Sequence, residues 1–211
     1  MNTAQLCRKL SAPSLARDGA HRAESSRPAK NPMFRYRQFA SLYLVIIPVF
    51  AGEPGLKDFQ RVDANVYRGH QPASEGFATL AKMGIKTVID LRGAWLHMPR
   101  EKRLVENAGM KYVEEPFSGI FAPHDGQVAK LLAVMQDPSA TPVFVHCLRG
   151  ADRAGELIAC YRMVHDHWTN RQALDEARSS RFSPLEILMR RYIMHFDPAR
   201  VRPSIPGAEL P

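Results

Sequence analysis

The sequence predicts an α/β domain with a central, largely parallel sheet of four to five strands flanked by helices. Two observations predict it. Short runs rich in Val, Ile, Thr and Phe alternate with longer segments whose apolar residues recur three and four apart, the alternation of a βα fold. After Val145 only helical patterns follow, so the last helices pack together on one side.

The elements follow in order from near Phe59. Asn65 to Arg68 reads as a short strand, ended by Gly69 and the turn-forming Gln71-Pro72. Ser74 is placed to cap a helix over Glu75 to Met83, with Gly84 as its stop. Lys86-Thr-Val-Ile-Asp-Leu91 is a compact β-branched run suited to a buried strand. A helix over Arg100 to Ala108 stops at Gly109, and Lys111 to Glu115 is the next strand. Gln127 to Gln136 carries Val128, Leu131, Leu132 and Met135 on one helical face. Thr141 to Val145 is the final strand. Helices over Arg153 to Val164, Asn170 to Ser179 and Pro184 to His195 follow, and a proline-rich tail, 197–211, is expected to be loose.

Composition limits the function classes. The chain has 211 residues and a net charge of +8. Residues 1–51 hold eight Lys and Arg against two Asp and Glu, whereas the rest is nearly balanced. The basicity therefore marks the N-terminal segment and no nucleic-acid face is read from it. Cys7, Cys147 and Cys160 are too few and too scattered for a disulfide framework. No C-x-x-C or paired-His spacing suggests a structural zinc site.

Residues 1–32 lack apolar periodicity and read as disordered or as a gene-model extension. Residues 33–52 combine a basic stretch with an apolar run from Phe39 to Ala51, interrupted by Pro48. The run is too short for a comfortable membrane span. A basic flank, a short apolar core and small residues at Ala51 and Gly52 form a signal-peptide-like pattern, with Met33 as a possible start. The expectation is export or membrane anchoring, with the cytoplasm as second choice. The phosphate-binding domain proper is expected over 59–196.

The chemistry is carried by His146-Cys-Leu-Arg-Gly-Ala-Asp-Arg-Ala-Gly155, which reads as the end of a strand, a tight loop and the start of a helix. Amides at a helix N-terminus face outward and the helix dipole favours an anion. Successive loop amides from Leu148, Arg149, Gly150, Ala151 and Asp152 make a concave nest for phosphate oxygens. Cys147 lies in the same positive field, which favours its nucleophilic thiolate. Arg153, six residues on, can return across the loop and hold two phosphate oxygens as a fork. His146 is a supporting residue beside the thiol.

These residues resemble the H-C-x5-R signature of the cysteine-dependent protein tyrosine and dual-specificity phosphatases. The form C-x-x-G-x-D-R-x-G is similar to their compact bacterial and plant or fungal atypical dual-specificity members. Val66-Tyr-Arg-Gly-His-Gln-Pro72 and Gly84-Ile-Lys-Thr-Val-Ile-Asp-Leu-Arg92 resemble the opening strands of the same group. The resemblance implies the cysteine-phosphatase fold, a phosphocysteine intermediate, and no metal or other cofactor. It also implies a phosphorylated protein or small phosphomonoester as substrate. In that family the proton donor is an Asp between the penultimate strand and the next helix. Asp125 is the only Asp in that interval here, with Glu114 and Glu115 as alternatives and a helix N-cap as the competing role for Asp125.

One departure matters. The family usually has Ser or Thr directly after the Arg, and this chain has Ala154. That hydroxyl stabilises the departing sulfur, and losing a hydrogen bond to a charged group costs about 1.5–3 kcal/mol. Slow hydrolysis of the phosphoenzyme is expected, with Thr at position 154 restoring speed. Three other readings remain: a phosphoinositide or inositol phosphate phosphatase, a pseudophosphatase that only binds phosphorylated ligands, and a rhodanese-type sulfurtransferase.

Overall fold

A computed structural model describes residues 53–93 and 98–201, apart from the side chains of residues 98 and 99. The apolar run at 39–51 and the rest of the N-terminal segment lie outside the described residues. No helix among the described residues is long and apolar enough to cross a membrane.

Five strands form one sheet: β1 (Gln60–Arg61), β2 (Val66–Gly69), β3 (Thr87–Asp90), β4 (Lys111–Glu114) and β5 (Val143–His146). Their spatial order is β1-β2-β5-β3-β4. All neighbours pair in parallel except the short edge strand β1, which is antiparallel to β2. The helices are α1 (Ser74–Lys82), α2 (Met98–Asn107), α3 (Asp125–Gln136), α4 (Asp152–His165), α5 (Asn170–Ser179) and α6 (Ile187–His195).

The central strand β5 shows why the sheet is covered on both faces. Its alternation sends Val143 and Val145 to one side and Phe144 to the other. The valines join a core with Leu131 and Leu132 of α3, Leu157 and Ile158 of α4, Leu174 of α5 and Ile193 of α6. Phe144 joins a second core with Phe77 and Leu80 of α1, Val88 of β3 and Val105 of α2. A strand apolar on both faces is the mark of a parallel, doubly covered sheet.

Several boundaries differ from the sequence expectation. Strand β1 is two residues long and exposed, so no apolar pattern announced it. Ala73, not Ser74, is the N-cap of α1. Helix α6 starts at Ile187 because Pro184 and Leu185 form a turn instead. The tail is not loose at its start. Asp197 caps a 3-10 turn over Pro198–Arg200, with its carboxylate accepting the Ala199 N–H at 2.9 Å, and Val201 is fully buried in the main core.

Candidate active site

The parallel strands end together at one edge. Gly69 of β2 and Asp90 of β3 both stand opposite His146 of β5. The loop Cys147–Ala151 leaves the sheet there and runs directly into α4. Carboxyl ends of parallel strands are where open α/β sheets bind ligands.

Gly150 makes the loop possible. Its φ is +69°, and a Cβ on it would lie 2.2 Å from the backbone of Gly69 and 2.6 Å from the His70 nitrogen. No side chain has room against backbone at that distance. Gly150→Ala is therefore expected to lower stability by about 1–3 kcal/mol and to remove activity. Thermal melts and turnover measured on the same preparation check this.

Arg68 is a functional residue that sequence reasoning missed. It is buried on β2, and its Nη2 donates to the carbonyls of Gly150 (2.6 Å) and Ala151 (3.1 Å). Holding those carbonyls inward leaves the opposite edge of the peptide planes, the N–H edge, for an anion. Its guanidinium also lies within electrostatic reach of Cys147. A buried arginine in a strand was the available signal, but its partners come from a loop some eighty residues away.

Cys147 is almost fully buried and Arg153 is half-buried. Both line a cavity of about 230 Å³ together with Gly119, Leu148, Arg149, Asp152, Glu186 and Met189. Arg153 Nη1 donates to the Leu91 carbonyl at 3.4 Å, which leaves the rest of its fork for a ligand. Asp152 braces two neighbours. Its Oδ2 pairs with Arg149 Nη2 at 2.5 Å, and its Oδ1 accepts the Ser183 N–H at 2.8 Å.

Behind the loop lies a buried polar network. Arg92 bonds Asp90 through Nε (2.9 Å) and Nη2 (2.5 Å), and the same Nη2 pairs with Glu101. Glu101 Oε1 meets His146 Nε2 at 2.8 Å, and His146 Nδ1 lies 3.3 Å from the Cys147 carbonyl. Tyr112 donates to Asp90 Oδ2 at 2.8 Å. Burial pushes the Asp90 carboxyl up, but the Arg92 hydrogen bonds outweigh it and hold the group below its ordinary value. Arg92 is thus a structural partner, and Glu101 of α2 stands at ion-pair distance from His146 without hydrogen-bond geometry between the two facing atoms. Among the described residues Asp90, Glu101 and His146 are the one group close enough to ligate a metal ion. The Arg92 guanidinium already pairs with both carboxylates, so a cation placed there would meet a like charge.

Asp125 is placed elsewhere. It is the first residue of α3, with His124 as the N-cap. Its Oδ1 accepts from the Tyr192 hydroxyl at 3.0 Å and its Oδ2 pairs with Arg200 at 2.6 Å. It does not line the cavity that holds Cys147 and Arg153. The alternative Glu115 is also engaged, with Lys130 at 2.5 Å and Gln127 at 3.1 Å.

Ala154 is fully buried in the main core. Threonine there would add two heavy atoms to a closed site, so serine is the better restoration. Ala154→Ser is expected to raise the rate of phosphoenzyme breakdown roughly tenfold, the lower range of one hydrogen bond to a charged group. Rapid-mix kinetics would show the pre-steady-state burst shrink. An unchanged burst counts against this role for the missing hydroxyl. Cys160, two turns along α4, is completely buried and burial pushes its thiol up, as suits a packing residue.

A cysteine, a guanidinium fork and an amide nest at a helix N-terminus, set on such a sheet, are the arrangement that marks the cysteine-dependent dual-specificity phosphatase family. Residues 37–193 match the family described as DSP-PTPase phosphatase fused to NAD+ kinase, and the chain belongs to that family. It is 26% identical over 152 residues to the inositol diphosphatase SIW14 of Saccharomyces cerevisiae, a match covering 69% of this chain and 53% of that protein. It is 29% identical over 132 residues to the dual specificity protein phosphatase TpbA of Pseudomonas aeruginosa, covering 58% of this chain and 54% of the relative. The chain thus spans about half the length of these two relatives. The crystal structure of the SIW14 core catalytic domain with citrate superposes with a TM-score of 0.60 at 26% identity, covering 67% of this chain and 86% of that one.

Proposed function

We propose that the protein hydrolyses phosphomonoesters through a phosphocysteine intermediate and prefers phosphotyrosine-type substrates to inositol diphosphates. Cys147 Sγ attacks phosphorus while the loop amides and Arg153 hold the equatorial oxygens, whose charge is spread in the transition state. Water then releases phosphate and regenerates the thiol.

The observation that carries the substrate preference is the charge of the cavity. Arg149 is neutralised by Asp152, which leaves Arg153 and the carboxylate of Glu186 among the lining side chains. Such a site suits one phosphoryl group better than a densely phosphorylated ring. Leu148 of the lining is exposed and apolar, and the lining residues Gly119 and Glu186 are neighboured in the chain by the exposed apolar Ile120, Phe121, Leu185 and Ile187. They suit an aromatic ring or an apolar peptide flank.

Kinetics on a phosphotyrosine peptide and on a diphosphoinositol polyphosphate test this. The peptide is expected to have a kcat/KM higher by at least about tenfold, one modest contact's worth of discrimination. The reverse order favours the second reading, an inositol diphosphatase. That reading draws on the relative SIW14 and on the groove beyond Leu148, where Arg100 and Arg103 have no carboxylate partner among the described residues.

A further inference from the structure

We infer that Glu186 is the proton-transfer residue of this site, an assignment that rests on the phosphatase reading above. The leaving oxygen of a phosphomonoester needs a proton, and the donor must lie within reach of it. Glu114 and Glu115 do not line the cavity that holds Cys147 and Arg153, and three further carboxylates come into question. Asp125 is held by Tyr192 and Arg200 and is not at the cavity. Asp152 is at the cavity, but one oxygen is paired with Arg149 and the other accepts the Ser183 N–H. Glu186 lines the cavity with Cys147 and Arg153, and its carboxylate has no hydrogen bond or ion pair among the described residues.

The local fold explains why that carboxylate is free. Glu186 is the N-cap residue of α6, a position where short oxygen-bearing side chains are favoured because they bond the first helical amides. Its side chain makes no such bond. The backbone fixes its place instead. Ser183 donates its N–H to Asp152 on the catalytic loop and accepts the Glu186 N–H at 3.2 Å through its carbonyl. The turn carrying Glu186 is thereby tied to the loop carrying Cys147, without a mobile segment between them.

The steps balance on these groups. In the first, the S–P bond forms, the P–O ester bond breaks, and the departing oxygen takes the proton of the Glu186 carboxyl. In the second, the Glu186 carboxylate takes a proton from water as that water attacks phosphorus. The P–S bond breaks and its electron pair returns to Cys147. The charged and titratable groups around Glu186 are Cys147, Arg149, Asp152 and Arg153 of the loop, Glu156 of α4 within electrostatic reach, and Arg190 one turn along its own helix. Gly119, from the connection before α3, brings no charge.

The test compares Glu186→Gln and Asp125→Asn on two probes, phenyl phosphate and p-nitrophenyl phosphate. Phenolate is the poorer leaving group and needs the proton, whereas nitrophenolate leaves nearly unaided. Glu186→Gln is expected to slow phosphocysteine formation from phenyl phosphate roughly 10²-fold and to flatten the basic limb of its pH–rate profile. Its nitrophenolate burst should change little, and Asp125→Asn should retain the basic limb. The assignment is overturned if Glu186→Gln slows both probes equally with an unaltered profile, or if Asp125→Asn is the variant that flattens it. Absence of any nitrophenolate release by the unaltered protein overturns the phosphatase reading itself.

Discussion

Cys147→Ser is expected to reduce turnover of an aryl phosphate by roughly 10⁴-fold or more, as loss of a covalent nucleophile does in other enzymes. The serine hydroxyl is nearly isosteric, so the buried position and the packing around it should survive. What is lost is a polarisable sulfur nucleophile in a site built to stabilise charge. Arg153→Lys is the informative companion. It keeps the positive charge but replaces a planar two-point fork with a single-point ammonium. Losing such preorganised stabilisation costs about 10²–10³ in kcat. The pair is checked by steady-state rates together with phosphate binding to Cys147→Ser, which should persist. A Cys147→Ser protein that still turns over would remove the phosphocysteine route. Undiminished activity in Arg153→Lys would show that the amide nest suffices.

Glu156→Gln should make the protein more stable at alkaline pH by several kcal/mol, with no such gain at pH 5. Glu156 lies one turn after Arg153 on α4, fully buried, and neither carboxyl oxygen has a hydrogen-bond partner among the described residues. Burial, reinforced by the nearby Glu186 charge, pushes its pKa up from 4.5 to about 8. The folded protein therefore holds a proton that the unfolded chain releases above pH 4.5. Stability from this group is complete below that value. It then falls with rising pH by about 1.4 kcal/mol per unit until the folded carboxyl also ionises near pH 8. Glutamine cannot ionise and removes the slope. Denaturant melts of the two proteins from pH 5 to 9 measure the difference, and parallel curves would contradict a neutral, buried Glu156.

The catalytic loop was legible because its chemistry is local. A strand, five loop residues and a helix start at Asp152 are contiguous, and the dipole and amide arguments need no tertiary contact. The strands β2 to β5 were legible for a similar reason, since a sheet covered on both faces demands continuous β-branched runs such as Thr-Val-Ile at positions 87–89. Less was legible where partners are remote. Asp125 stood in the right interval, but the sequence did not show that Tyr192 and Arg200 come back to hold it. Arg92 follows β3 and Glu101 lies on α2, and the two meet only in the folded chain.

By itself the sequence determined the α/β class and the strand–loop–helix that carries Cys147, Arg153 and, where a hydroxyl is usual, Ala154, all of which follow from residue type and spacing. Only the tertiary structure decided which side chains face that loop from outside: Arg68 gripping the carbonyls of Gly150 and Ala151, and Glu186 facing the cavity with an unengaged carboxylate. The physical reason is range. Helix dipoles and loop amides act within a few residues of the chain, whereas a side chain from another element need only be near in space, and the packing of α6 against α4 brings Glu186 to the cavity.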